Sequence, residues 1–300
     1  MSENSPLIIL YNGVKMPALG LGVFETTPSE TALAVETAIA AGYRLIDTAA
    51  AYHNERQVGT AIARSGVNRS ELFVTTKLWV RDYGYDCTLR AFDASLRKLD
   101  LGYIDLYLLH WPVPSDFEAT IASYRAAERL LADGLVRSIG VSNFTDKHLA
   151  DLMARTDVLP AVNQVELHPF FIQEELRAIH QRLGIVTQSW SPIGGVYDRI
   201  SRVTSDTKAG PLKHPAVLQL AAKHGKTPAQ IVLRWHIDHG LSAIPKSVRA
   251  ERIAENISLF DFHLAKEEIE EIDRLDTGVR AGPDPEMFNA STFRISIDEA

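Results

Sequence analysis

The chain has almost no cysteine: Cys87 is the only one among its 300 residues. That excludes an internal disulfide and a cysteine-built metal site. Positive charge is not in excess either. Lys and Arg number 31 against 38 Asp and Glu, a formal net charge of −7, so the chain as a whole offers no footing for nucleic acid or an anionic membrane surface. Any basic site has to be local. Long apolar runs are missing as well: no stretch approaches the roughly 18–20 apolar residues of a membrane span. Met1 to Leu10 carries no basic segment ahead of its short apolar stretch, so no secretory signal is expected. Pro/Ser-rich linkers, charge blocks and low-complexity segments are also absent, so one domain over residues 1–300 is expected, in a reducing, cytoplasmic compartment.

What the sequence does have is alternation. β-rich runs at 19–24, 44–48, 72–78, 104–110, 136–142, 162–167, 186–191 and 242–247 each precede an amphipathic stretch, at 29–41, 55–65, 88–99, 117–133, 147–155, 173–183, 228–239 and 249–257. Thr27-Pro28-Ser29 and Thr227-Pro228 suit helix starts, with proline in the first turn. Gly66, Gly134, Gly184 and Gly240 stand just past helical runs, where a left-handed cap favours glycine. Eight strand–helix units in this length predict an α/β fold, a closed (β/α)8 TIM barrel, with a doubly wound open sheet as the alternative. Three additions lie outside the repeat. Residues 7–16 read as a hairpin around Asn12-Gly13 that closes the barrel floor. Residues 194–214 form a long loop after the seventh strand. A further helix near 266–275 leads into a Gly/Pro-containing tail, and both the loop and the tail are placed to lie over the active face.

Barrel enzymes draw their chemistry from the C-terminal ends of several strands. Asp47 ends the second run, Lys77 the third and His110 the fourth, with Tyr52 in the loop after the second. Singly, each has an ordinary structural reading: a turn cap, a solvated strand end, a satisfied core histidine, a loop tyrosine. Together at one rim they suit carbonyl reduction, which needs a proton on oxygen as hydride reaches carbon. Free tyrosine, with a pKa of about 10, is a reluctant acid at neutral pH. A neighbouring Lys77 ammonium is expected to lower that value, with Asp47 balancing the lysine and His110 orienting the substrate oxygen.

A second cluster, Lys246, Ser247, Val248, Arg249 and Arg252 followed by Glu255 and Asn256, gathers three cations and a hydroxyl where the eighth strand meets its helix. Helix N-termini bind anions, and the region after strands seven and eight of a barrel is a frequent phosphate site. A terminal phosphomonoester such as the 2′-phosphate of NADP fits it, and a solvated basic helix face is the plain alternative. A third set comprises Ser142 and Asn143 after strand five, Gln164 in strand six and Trp190-Ser191 after strand seven. It offers amides and a hydroxyl for a carboxamide and an indole face for a nicotinamide ring, or it is ordinary loop and core chemistry. Two motifs are set aside. Gly20-Leu21-Gly22 lacks its third glycine, since Glu25 stands there. Glu166-Leu167-His168-Pro169 lacks the His-x-His or His-Glu-x-x-His company of a metal site, so no metal is expected.

The runs Gly42-Tyr43-Arg44-Leu45-Ile46-Asp47-Thr48-Ala49, Thr76-Lys77-Leu78-Trp79, Leu109-His110-Trp111-Pro112, Gly140-Val141-Ser142-Asn143 and Ile244-Pro245-Lys246-Ser247 strongly resemble the aldo-keto reductase superfamily. The resemblance spans all eight units in order and is closest to bacterial reductases of the 2,5-diketo-D-gluconate reductase type. It implies NADPH-dependent reduction of aldehydes or ketones, among them keto-sugars, dicarbonyls or keto acids, by a tetrad of Asp47, Tyr52, Lys77 and His110. It further implies NADPH contacts from Val23, Asp47, Ser142, Asn143, Gln164, Trp190, Ser191, Ile193, Gly194, Lys246, Ser247, Val248, Arg249, Arg252, Glu255 and Asn256. Phe24, Trp79 and Trp111 would line a substrate pocket for a small carbonyl compound, in a monomer. Leu45 departs from the histidine the resemblance leads one to expect, beneath the active face. A cofactor-binding redox sensor on the same fold and a metal-dependent barrel hydrolase are the rival readings.

Overall fold

Two short strands, β1 (Leu7–Ile9) and β2 (Lys15–Pro17), open the chain as an antiparallel hairpin. Its turn is closed by Leu10 N donating to Val14 O at 2.9 Å, with Gly13 at φ 82, a conformation that glycine adopts at no steric cost. The computed structural model describes residues 5–195, 210–289, 291 and 297. Most of the loop expected at 194–214 and the end of the tail thus lie outside the described residues.

The strands β3 (Leu21–Gly22), β4 (Leu45–Asp47), β5 (Phe73–Leu78), β6 (Ile104–Leu109), β7 (Val136–Ser142), β8 (Val162–Glu166), β9 (Val186–Trp190) and β10 (Ser242–Ala243) pair in parallel, each with its sequence neighbour. The first and last also meet. Leu19 and Gly22 bridge in parallel to Ala243 and Lys246, and Ala243 N donates to Ala18 O while Gly20 N donates to Ala243 O. The sheet closes on itself, so the open doubly wound alternative falls away. The closing strands are shorter than the sequence suggests, because there the pairing consists of bridges rather than a full ladder.

Helices α1 (Pro28–Ala40), α2 (Glu55–Ser65), α3 (Tyr85–Leu99), α4 (Phe117–Ala132), α5 (Asp146–Arg155) and α6 (Glu174–Leu183) follow the first six barrel strands. Between β9 and β10 stand α7 (Pro215–His224) and α8 (Pro228–Asp238), and after β10 come α9 (Ala250–Ile257) and α10 (Lys266–Asp273). The periodicity predicts all but α7, which has no strand ahead of it and follows directly on the loop expected at 194–214. The predicted caps form. Thr27 and Glu30 satisfy each other's backbone N–H groups at the start of α1, and Thr227 and Gln230 do the same for α8.

The barrel interior is filled at its floor by Leu10 and Met16 of the hairpin against Leu45, Phe73, Leu106, Leu108, Val162 and Ile244. Leu45 is therefore a floor residue, two positions below Asp47 on the same strand face. It also dictates its neighbour: a Cβ at Gly20 would lie 1.9 Å from Leu45 Cδ2, so glycine is required there.

Outside the barrel, two buried histidines have every ring nitrogen committed. His180 Nε2 accepts from Asn163 Nδ2 at 3.0 Å, so its Nδ1–H donates to Thr187 Oγ1 at 2.8 Å. His236 Nε2 donates to Pro192 O and its Nδ1 accepts from Ser189 Oγ. Each ring holds one proton, and burial opposes a second. Burial pushes the His180 pKa down to about 4 and that of His236 to about 3. In the unfolded chain both titrate near 6.5, so the unfolded state takes up protons first as pH falls and stability falls with it. The contribution of these two rings is complete above about pH 7.5 and is expected to fall by on the order of 4 kcal/mol by pH 5. Urea unfolding at the two pH values reads this directly, and a flat profile would mean that the two rings are not held neutral.

Candidate active site

At the barrel mouth the sequence has put two unlike charges where water does not reach. Asp47 ends β4 and Lys77 lies near the end of β5, the next strand, and both are essentially inaccessible. Lys77 Nζ donates to Asp47 Oδ1 at 2.5 Å and to Thr48 O at 2.9 Å. The other carboxylate oxygen of Asp47 accepts from Gln164 Nε2 at 2.7 Å. Burial pushes the aspartate up and the lysine down, and each pulls the other back through their contact. The polar layer continues across the barrel: Gln164 Nε2 donates to Gln188 Oε1, and Gln188 Nε2 to Ser242 Oγ. Five strands, β4, β5, β8, β9 and β10, thus share one hydrogen-bonded chain directly above the apolar floor.

Tyr52 closes the short 3-10 turn Ala50–Tyr52 after β4, and its Oη lies 3.5 Å from Lys77 Nζ. The turn is held from behind by Asn54, whose Nδ2 donates to Val23 O at 2.9 Å and whose Oδ1 accepts from Thr48 Oγ1 at 2.7 Å. The expectation that the ammonium lowers the phenol is not met. Burial pushes Tyr52 well above its ordinary value and the Asp47 charge adds to it. The lysine is engaged at short range by Asp47 and Thr48 and meets the phenol only at the outer limit of a hydrogen bond. His110 follows β6 and presents its ring edge to Tyr52, at 5.8 Å between centroids. Burial and the Lys77 charge hold its pKa well below the usual imidazole range, so the ring is neutral. Its Nδ1 is buried without a hydrogen-bond partner.

Aromatic rings surround this group. Phe24 lies 4.9 Å from Tyr52 and is 45% exposed, at the rim. Trp79 meets His110 edge-on at 5.3 Å, and Trp111 is covered face to face by Phe288 at 4.0 Å. Phe288 comes from the tail, in a Gly/Pro-containing segment with no periodicity, and sequence reasoning has no signal with which to find it.

Beside the mouth lie the carboxamide-type groups. Ser142 and Asn143 end β7, Asn143 in the left-handed region at φ 65, and both are buried with Gln164. Asn143 Nδ2 donates to His110 O, and Asn143 Oδ1 accepts from Trp190 Nε1 at 2.8 Å, which fixes the half-buried indole at the end of β9. Ser191 and Gly194 follow with positive φ, Gly194 N donating to Ser191 O, and Ile193 packs partly into the core. Val23 is different. Its side chain is in the core, its N–H donates to Asp47 O and its carbonyl accepts from Asn54 and Thr26, so it offers no free polar group. At the start of α9, Lys246, Arg249 and Arg252 are exposed around the buried Ser247, with Val248 half-buried. Ser247 Oγ accepts from Arg249 N at 3.2 Å. Asn256 is buried, and Glu255 is tied to α8 through Thr227 Oγ1 at 2.7 Å.

Comparison with known proteins finds relatives over nearly the whole chain. Residues 18–277 match the model of the aldo/keto reductase family. A morphine 6-dehydrogenase of Pseudomonas putida is 55% identical over 98% of this chain and 99% of its own length. The methylglyoxal reductase DkgA of Escherichia coli is 46% identical over 95% of this chain and 98% of its own. The crystal structure of a Bombyx mori aldo-keto reductase in complex with NADP superposes with a TM-score of 0.85, at 39% identity, over 94% of this chain and 96% of that one.

Removing one member of the buried pair leaves an uncompensated charge. Lys77→Met is expected to cost about 3–5 kcal/mol of stability. Adding Asp47→Asn should restore a good part of that loss, since no bare carboxylate then remains. Urea unfolding of the single and double variants measures both effects, and a Lys77→Met loss below about 1 kcal/mol would show that the pair does not exist in the folded protein.

Proposed function

The chain belongs to the aldo/keto reductase family and is an NADP-dependent oxidoreductase, and on that premise we propose that it reduces aldehydes and ketones to alcohols with Tyr52 as proton donor. The observation that carries the proposal is the placement of Lys77 Nζ between Asp47 and Tyr52 inside an aromatic mouth. The residues present suit the cofactor. Three exposed cations and a buried serine at the start of α9, in a chain of net charge −7, are a donor set for a phosphomonoester. Ser142, Asn143 and Gln164 supply amides and a hydroxyl for a carboxamide, and the indole of Trp190 supplies a stacking face, which together would hold the nicotinamide beside the mouth. When bound, the cofactor supplies a hydride to the carbonyl carbon.

The protein's own contribution is the proton. A buried phenol pushed above its ordinary pKa stays protonated, so Tyr52 is always in the donor form. As it gives its proton to the carbonyl oxygen it becomes a phenolate 3.5 Å from an ammonium, and that attraction, weak for the phenol, is full for the anion. Lys77 thus acts on the transition state rather than on the resting acid. Asp47 keeps the lysine in place. His110 Nδ1 has no partner, and a buried orphan N–H costs more than a buried orphan lone pair, so the single proton sits on Nε2. That nitrogen is then available to donate to the substrate oxygen.

Phe24, Trp79, Trp111 and Phe288 give the pocket aromatic walls suited to a carbonyl compound with an apolar body. The relatives named morphine 6-dehydrogenase and methylglyoxal reductase differ in substrate, so the class proposed is a broad one, including keto-sugars, dicarbonyls and keto acids. On the same reading, the whole chain is one barrel domain that works as a monomer in the cytoplasm.

Tyr52→Phe should leave NADPH binding within about twofold of wild type and lower kcat by roughly 10²- to 10⁴-fold, the range of general acid catalysis. Stopped-assay turnover together with tryptophan quenching tests this, and undiminished turnover would remove Tyr52 from the role. Arg252→Ala should weaken NADPH by roughly 10- to 100-fold, the value of a charge-assisted contact. NADH binding should be almost unaffected, and equal losses for the two would refute a 2′-phosphate site at α9.

A further inference from the structure

The Glu166-Leu167-His168 segment, passed over as a metal motif, has a different occupant in the fold. Glu166 ends β8 with a fully buried side chain, and its carboxylate is filled by the chain's own tail. Oε1 accepts from Ala281 N and Oε2 from Gly282 N, each at 2.8 Å. His168 Nε2 stands 3.1 Å from Oε1, and the guanidinium of Arg280, from the same tail segment, lies 3.7 Å from Oε2. This two-oxygen, two-amide seat is the central fastening of a strap that leaves α10. Upstream, Thr277 N and Oγ1 donate to Phe170 O, and Ile172 N donates to Asp276 Oδ1. Downstream, Glu286 accepts from Thr145 Oγ1 at 3.1 Å, and two residues later Phe288 lies on Trp111.

At the seat the strap touches Trp190. A Cβ on Gly282 would fall 2.5 Å from Trp190 Cη2 and 2.6 Å from Glu166 Oε2, so the bare backbone at 282 abuts both. The indole is therefore held at opposite ends, by Asn143 at Nε1 and by Gly282 at the far edge of its six-membered ring. We propose that Glu166 is a positioning residue: by latching the strap through the Ala281 and Gly282 amides, it sets the face of Trp190 and the Phe288 wall of the carbonyl pocket together. A carboxylate suits the task because both of its oxygens accept. The amide of a glutamine would turn an N–H toward one of the two backbone N–H groups and lose that bond. Strap closure and pocket shape then share one fastening, so loosening it enlarges the pocket without touching the proton-transfer group.

This inference rests on the carbonyl reductase reading for its kinetic consequence and on geometry alone for the latch. The test compares wild type with Glu166→Gln, Gly282→Ala and Phe288→Ala by three readouts: amide hydrogen exchange of residues 277–289, thermal midpoint, and kcat and KM for an aromatic aldehyde. In Glu166→Gln and in Gly282→Ala, strap exchange should accelerate at least tenfold with exchange of the barrel strands unchanged. KM should rise about tenfold while kcat changes less than threefold. Phe288→Ala should reproduce the KM effect with the exchange of Ala281 and Gly282 preserved. Native strap exchange in both latch variants would overturn the latch, as would a rise in exchange that spreads over the whole barrel. Faster strap exchange with native KM would overturn its link to the pocket. Absence of turnover in the wild type would instead count against the reductase reading, with the exchange data still deciding the latch.

Discussion

Everything at the mouth of this barrel depends on a lysine and an aspartate that have been taken out of water together. Neither Asp47 nor Lys77 is tolerable there alone, since an isolated buried charge costs several kcal/mol or more. Side by side on β4 and β5, with Thr48 O and Gln164 Nε2 completing their hydrogen bonds, they form a nearly neutral unit. That unit leaves the lysine's positive end facing a phenol. The aspartate adds to the burial that keeps the phenol protonated, and in the mechanism proposed above the ammonium would answer the anion that forms when the proton leaves. One pair would then serve two stages of the proposed proton transfer, whose electrostatic demands are opposite.

The barrel makes that pair affordable. Below it, the hairpin residues Leu10 and Met16 and the strand residues Leu45 and Phe73 close the floor with buried apolar packing. At its own level, Gln164, Gln188 and Ser242 carry the hydrogen-bond chain around to the far wall. Above it, aromatic rings from four separate segments of chain narrow the opening. The layers are stacked by the strand alternation itself, which places Leu45 and Asp47 on the same face one pleat apart.

The tail is the least regular part of the site and yet is tied to the most regular. Glu166 stands at the end of a barrel strand whose inward residues below it are Gln164 and Val162, so one strand contributes to the floor, to the polar layer and to the seat of the strap. Through Gly282 and Phe288 the strap reaches Trp190 and Trp111, which approach the mouth from different strands. A rigid sheet end is a good place for such a fastening because it does not move when the loops around it do.

Much of this was legible beforehand. Apolar runs of period two alternating with amphipathic runs dictated eight strand–helix units, because each pattern has only one geometry that buries it. Thr27-Pro28 and Thr227-Pro228 announced two helix starts, because the fixed φ of proline suits the first turn, where its missing N–H would have no partner anyway. Asp47, Lys77 and His110 at successive strand ends pointed to one rim, since parallel strands of a barrel all end on the same side. The α7 helix was hidden because it stands outside the strand–helix alternation, directly after the loop at 194–214. Two matters belonged to the tertiary structure alone. The Tyr52 phenol is raised and not lowered, because its environment is set by burial and by which partner the lysine meets first, and no spacing in the chain records either. Phe288 and Gly282 became part of the site only because Glu166, more than a hundred positions earlier, offers the seat that folds the tail back over the mouth. Local pattern determines elements and the side of the barrel on which they end, whereas contacts between distant segments depend on packing, which exists only once the chain has closed.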